Sequence, residues 1–217
     1  MEPPRNSERR IPNKSRDPVK KLKYGTAAVV DVETTGFNPY RDEIVELAIT
    51  LFRYDRATGQ VLEIVCEYTG LRQPSGPMRR AASAVHGITK RMVRGLKLDY
   101  RRIRAILRKA DFVVAHNAGF DRSFVERLMP SSHHMTWLCT LRGIDWKARG
   151  FTSRCLVDLA AAHEIATPRA HRASGDTATL LALLSHRPRR RKPYLHELLR
   201  TAGVIPKAAR RRARQTS

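Results

Sequence analysis

The chain has 217 residues, 41% of them hydrophobic, and carries 42 Lys and Arg against 20 Asp and Glu, a formal charge of +22. That length suits one ordinary domain with appended tails, the apolar fraction can build a core, and the charge excess favours a polyanion such as nucleic acid as partner. No stretch approaches the ~18 apolar residues that cross a bilayer; no apolar face accompanies the basic runs, and Cys66, Cys139 and Cys155 are too scattered for a disulfide framework, so membrane and secreted small-scaffold classes are disfavoured.

Residues 1–23 hold eight Lys/Arg against three acids in a polar, Pro-broken segment without the apolar core of a secretory signal. A basic, mobile tail and a cytoplasmic location are expected. Ala27–Val30 is continuously apolar and suits a strand buried on both faces. Residues 43–54 and 61–70 read as two further strands joined by the polar turn DRATGQ with Gly59. Residues 78–110 form a helical region in which Ile103, Ile106 and Leu107 recur at helix spacing. Residues 111–116 are a short buried strand, 120–129 a helix, 152–165 a helix opened by a capping Thr-Ser pair, and 176–186 another helix. Residues 187–217 carry eleven Lys/Arg against one acid and include a short amphipathic helix near 194–202, stopped by Gly203. Strands first, then strand and helix alternating, predict a mixed α/β sheet with packed helices over residues 24–186, followed by a basic C-terminal tail.

The first strand ends in VVDVETTGF, residues 29–37. Side chains two apart on a strand share a face, so Asp31 and Glu33 are predicted side by side, where they repel unless a cation neutralises them. Hard carboxylate oxygens suit Mg²⁺ or Mn²⁺, and bound cations would reverse the local field so that a phosphodiester can enter. Further candidate ligands are Asp121, just after the buried strand, and Asp176, at the start of a helix. His171 lies five residues before Asp176, about 500° of helix, so the two meet only if His171 sits in the preceding loop.

DVETTG (31–36), HNAGFD (116–121) and HRASGD (171–176) together resemble the three motifs of the DnaQ-like 3′→5′ exonucleases of the DEDDh branch: D-x-E, N-x-x-x-D and H-x-x-x-x-D, in that order. The resemblance covers roughly residues 24–186 and extends to the proofreading epsilon subunit of bacterial DNA polymerase III and to RNase T. It implies a ribonuclease H-like fold and hydrolysis of the last phosphodiester with two Mg²⁺ or Mn²⁺ ions. Asp31, Glu33, Asp121 and Asp176 would hold the ions, Asp31 touching both, and His171 would take a proton from the attacking water. The Thr34-Thr35-Gly36 turn would present backbone N–H groups to the terminal nucleotide. The complete Thr-Thr-Gly favours DNA 3′ ends as substrate, with release of nucleoside monophosphates. RNase T-like trimming of RNA ends is the alternative, and a catalytically silent nucleic-acid-binding module the reading from another class. The family is compatible with a polymerase or repair partner and with a homodimer.

His116 and Asn117 read equally well as substrate contacts and as fold-stabilising hydrogen-bonders, and Phe120 as core or as a base-stacking ring. Glu46, in an otherwise apolar strand, reads as structural. His86 has no assignable chemistry. The His133-His134 pair lacks partners at zinc spacing. Eleven Lys/Arg in residues 79–109 mark either a solvated face or a groove that guides a strand.

Overall fold

The computed structural model describes residues 23–167, 170–188 and 191–204. Strand β1 (Tyr24–Thr34) is the middle of a five-stranded sheet of order β3-β2-β1-β4-β5. Strands β2 (Ile44–Asp55) and β3 (Val61–Leu71) form an antiparallel meander from it, while β4 (Phe112–Ala115) runs parallel to β1 and β5 (Trp137–Cys139) parallel to β4. Ala27 to Val30 are no more than 1% exposed, because helices cover both faces of the sheet. The mixed α/β architecture is the one expected. Strand β5 is an addition to it: three residues are too few to show any alternation in sequence.

The alternation along β1 decides where the site forms. Ala27 and Val29 join the core beneath helix α7 (Ala173–Ser185), together with Leu180, Leu183 and Leu184. Ala28, Val30 and Val32 point to the opposite core, covered by α3 (Tyr100–Leu107) and α4 (Ala118–Leu128), with Ile103, Ile106 and Phe124. Asp31 and Glu33 continue the odd register and therefore face α7.

The helical region 78–110 resolves into α1 (Arg80–His86), α2 (Lys90–Val93) and α3. Gly87 and Gly95 break it by adopting left-handed backbone, φ 70° and 73°, which glycine tolerates without a Cβ clash. Short α5 (Thr140–Gly143) follows β5. Helix α6 (Leu156–Ala162) starts later than its Thr-Ser signal suggests, because Ser153 takes the Cys155 N–H and donates to Asp158, holding the preceding residues extended.

Helix α8 (Tyr194–Thr201), expected within a tail, buries Tyr194, Leu195, Leu198 and Leu199 against Trp146 and the α7 leucines. Each such side chain contributes roughly 1.5–3 kcal/mol, so the packed unit runs beyond residue 186. Arg187 and Lys192, from the basic run 187–192, bond Gln60 and the Ala57 carbonyl at the β2–β3 turn. Residues 1–22 and the run 210–214 lie outside the described residues. The three cysteines are free, as expected. Among the described residues no helix is long and apolar enough to cross a membrane.

Candidate active site

At the C-terminal end of β1, Asp31 and Glu33 meet Asp176 from the first turn of α7, one carboxylate oxygen from each lying within 4.8 Å of the others. His171 sits at the lip of this cluster, exposed, in the loop before α7. Its φ of 60° is left-handed, unusual for a residue with a side chain and a cost of order 1–3 kcal/mol that the surroundings must cover. The Asp176 carboxylate accepts a hydrogen bond from the His171 backbone, tying the two together. Asp121 enters from the first turn of α4; it is 4% exposed, and its Oδ1 accepts the Val32 N–H at 3.2 Å, between the two β1 carboxylates. The loop-then-helix placement expected for His171 and Asp176 is what is observed.

Burial, and then repulsion from Asp121, Asp176, Glu33 and Glu46, pushes the Asp31 carboxyl well above its ordinary range. Burial and the neighbouring Asp176 and Glu46 lift Glu33 to about 8, although Arg172 opposes them. Asp121 rises to about 7, mainly by burial, against the relief given by the Val32 N–H. Asp176 rises to about 6 by burial, with His171 acting in the opposite direction. None of the four makes a salt bridge with Lys or Arg among the described residues, in a chain of charge +22. Converging, desolvated, unpaired carboxylate oxygens are the donor set of a hard divalent cation, so the residues fit Mg²⁺ or Mn²⁺.

Two residues without an assigned chemical role brace this cluster. Glu46, fully buried and paired across the β1–β2 ladder with Glu33, accepts from Arg172 Nη2 at 2.6 Å, Arg172 Nε at 3.0 Å and the Ala173 N–H at 3.0 Å. His86, 4% exposed, places Nε2 3.3 Å from the Thr34 carbonyl while Nδ1 accepts the Ile88 N–H at 3.0 Å, so it acts as a neutral strut beneath the turn. Burial lowers its pKa, in keeping with that role. The polar residue inside the apolar run of β2 is the available signal for Glu46; the His86 partner, 52 residues away, leaves none.

Within the turn, one of the three expected backbone donors is already used. Thr35 donates its N–H to the Glu43 carbonyl at 2.9 Å, and Thr34 Oγ1 bonds the Gly36 carbonyl at 2.6 Å, so Thr35 offers no backbone donor to a ligand. Gly36 is required by close packing: a Cβ there would lie 2.6 Å from the Asp42 carboxylate. His116 spends both ring nitrogens inside the fold, on Thr140 Oγ1 at 2.9 Å and the Arg154 carbonyl at 2.7 Å, as the fold-stabilising of its two expected readings requires. Asn117 is exposed at the N-cap of α4 and makes no capping bond, and its amide has no hydrogen-bond partner among the described residues. Phe120 is half-buried between Phe124 and Phe37. Phe37 is 88% exposed beside the site, an aromatic that sequence reasoning leaves in an unremarkable loop. His133 contacts Glu126 at 3.0 Å rather than a second metal ligand. Of the basic run, Arg79 pairs with Asp42, while Arg101, Arg104 and Arg108 are exposed on and beside α3.

A family model described as Exonuclease, RNase_T, matches residues 28–184. The chain is 31% identical over 128 residues to the PolC-type DNA polymerase III of Thermotoga petrophila, covering 56% of this chain and 8% of the polymerase. It is 36% identical over 118 residues to Ribonuclease T of Vibrio cholerae, covering 45% of this chain and 49% of that enzyme. The matched regions thus span about half or less of those relatives. Escherichia coli Exonuclease I bound to a deoxyadenylate oligonucleotide superposes with a TM-score of 0.64 at 19% identity, over 81% of this chain and 43% of that one. Exonuclease X bound to 5′-overhanging duplex DNA gives 0.53 at 24% identity, over 82% and 93%. These likenesses establish the ribonuclease H-like exonuclease fold.

Proposed function

Because this chain belongs to the RNase_T exonuclease family, the DnaQ-like nucleases, we propose that it removes nucleoside monophosphates one at a time from DNA 3′ ends. The observation that carries the reading is the convergence of Asp31, Glu33 and Asp176 on one point, with His171 at its lip and Asp121 behind it.

In this reading Asp31, Glu33, Asp121 and Asp176 hold two divalent cations. Such ions, when bound, offset the phosphate charge and stabilise the attacking and leaving oxygens of an in-line displacement. The exposed imidazole of His171 takes the proton of the attacking water. A water oxygen–phosphorus bond forms, the bond from phosphorus to the 3′ oxygen of the preceding nucleotide breaks, and that oxygen takes a proton from solvent, so the shortened strand keeps a 3′ hydroxyl. Phe37, braced by Phe120, stacks on a terminal base, and the exposed Asn117 amide contacts the same nucleotide. The exposed arginines around α3 hold the trailing strand through its phosphates. Neutralising Arg101, Arg104 and Arg108 should flatten the salt dependence of binding, the slope falling by about 0.7 for each phosphate no longer neutralised. The 36% identity to Ribonuclease T supports a second substrate, RNA 3′ ends.

Purified protein incubated with 5′-labelled single-stranded DNA and RNA of one sequence, with Mg²⁺, Mn²⁺ or EDTA, tests both. A ladder shortening from the 3′ end and lost in EDTA is expected, with DNA cut faster. RNA cut faster selects the second substrate. A labelled strand that is bound but never shortened refutes the nuclease.

A further inference from the structure

Glu46 is a carboxylate beside the candidate active site whose oxygens are bonded to the chain itself. It is completely buried, directly across the sheet from Glu33, yet both oxygens are spent: Oε1 on Arg172 Nη2, and Oε2 on Arg172 Nε and the Ala173 N–H. Both of its oxygens are thus already engaged in holding the start of α7. Its three hydrogen bonds span 126 and 127 residues of sequence and all end on the first two positions after His171.

Arg172 is the N-cap of α7 and Ala173 its first residue. The Arg172 side chain runs inward to the sheet, whereas the adjacent His171, with left-handed backbone, stands exposed above the carboxylates. A two-pronged guanidinium–carboxylate pair fixes direction as well as distance, because its two parallel bonds resist rotation. Together with the Ala173 bond it fixes the rotation and height of the helix start relative to β2, and hence to Glu33 on the neighbouring strand. Asp176 then bonds back to the His171 backbone. The sheet holds Arg172, Arg172 holds the turn, and the turn aims His171.

We propose that Glu46, acting through Arg172, is a positioning residue for His171 in the phosphodiester hydrolysis proposed above, on which this inference rests. The clamp is a neutral pair, so removing both partners leaves the charge around the cation ligands balanced, whereas removing one leaves an uncompensated charge beside Glu33. The informative variant is therefore Glu46→Gln/Arg172→Gln, which keeps a polar side chain at both positions, shortened at 172, and removes the charged fork. The single substitution Glu46→Gln, which leaves the Arg172 charge without its partner beside Glu33, serves as the contrasting second variant.

The test is a double-mutant cycle with His171→Ala, measuring kcat, KM for a single-stranded oligonucleotide and the Mg²⁺ concentration for half-maximal rate, each variant first checked for a cooperative thermal transition. Expected for the double Gln variant are a kcat lower by about 10- to 100-fold, as for an ångström-scale misplacement of a reacting group, and KM and Mg²⁺ requirement within about threefold of wild type. In the His171→Ala background the same substitutions should cost less than about twofold more, since there is no imidazole left to aim. Losses that multiply in that background, or a Mg²⁺ requirement raised as much as by Asp176→Asn, overturn the inference while leaving the nuclease intact. A wild-type protein inactive on both DNA and RNA overturns the nuclease reading and this inference with it.

Discussion

The β1–β2 hairpin carries two pairs of carboxylates, treated in opposite ways. Asp42 and Glu43 lie in the connection between the strands, and burial pushes both upward, yet their partners more than reverse it. Asp42 accepts from the Asn38 N–H at 2.9 Å and Arg79 Nε at 3.1 Å; Glu43 accepts from Gly76 N–H and Ser75 Oγ, both at 2.8 Å, and from Arg72 at 2.7 Å. Both end below the usual carboxylate range. Asp31 and Glu33 are also desolvated, but have other carboxylates for neighbours, and both end above it. The charge of Arg172 reaches Glu33, but its hydrogen bonds go to Glu46. Burial is common to the two pairs, so the difference lies in who answers the charge. Where the fold alone is served, the chain supplies arginine; at the end of β1 it withholds one, leaving the charge for a cation from outside.

The comparison is broken most severely by removing the carboxylates left unanswered. Asp31→Ala or Asp176→Asn should lower nuclease activity by on the order of 10⁴-fold while the thermal transition of the cation-free protein stays or rises, because a repelling charge has gone. A drop in thermal stability comparable to that of a core truncation would mean that these groups serve the fold. His171→Ala should cost less, roughly 10²- to 10⁴-fold in kcat, since the cation ligands remain. An unchanged Mg²⁺ requirement in that variant, measured by titrating the rate, separates the proton acceptor from the ligand set.

The two pairs also predict opposite responses to pH. Asp31, Glu33, Asp121 and Asp176 hold protons more tightly when folded than when unfolded. Below the ordinary carboxylate range both states are protonated and the cluster costs nothing. As pH climbs from there to about 8, the pKa of folded Glu33, the unfolded chain sheds its protons first and the cation-free fold loses stability. Asp42 and Glu43 act the other way, stabilising above the ordinary range and failing as pH falls through their lowered values. Cation-free protein should therefore melt progressively lower from pH 5 to pH 9, by about 2–4 °C for each kcal/mol lost. Added Mg²⁺ should recover that loss most strongly at the alkaline end. A melting temperature flat across this range, with and without Mg²⁺, would contradict the unpaired state of the cluster.

How much of this is legible in sequence depends on the range of the interaction. The buried central strand, the meander and the D-x-E at its end follow from alternation and local spacing. So does the loop position of His171, because a period of 3.6 forbids it from sharing a face with Asp176 on one helix. What sequence hides depends on partners far apart in the chain. Glu46 is answered by Arg172 across 126 residues, His86 by Thr34 across 52, and His116 by the Arg154 carbonyl across 38. A polar residue in an apolar run says that a partner exists without saying which. Phe37 is hidden for another reason: its exposure is a property of the folded surface, which the residues around it in sequence do not determine.

The smallest effect sharpens the contrast from its other side. Asp42→Asn keeps the shape of the side chain but gives up the charged bond to Arg79 and weakens the acceptor for the Asn38 N–H and Thr35 Oγ1. Arg79 is largely exposed, so its half of the pair contributes little, and the loss should come mainly from the buried acceptor, about 1–3 kcal/mol. The same carboxylate packs against Gly36 and so supports the turn that sets Phe37 beside the site. Oligonucleotide KM should consequently rise a few-fold while kcat stays near wild type, the reverse of the pattern expected for His171→Ala. Chemical denaturation alongside steady-state kinetics resolves the two effects. A fall in kcat with KM unchanged would place Asp42 with the unanswered carboxylates and dissolve the distinction between the pairs.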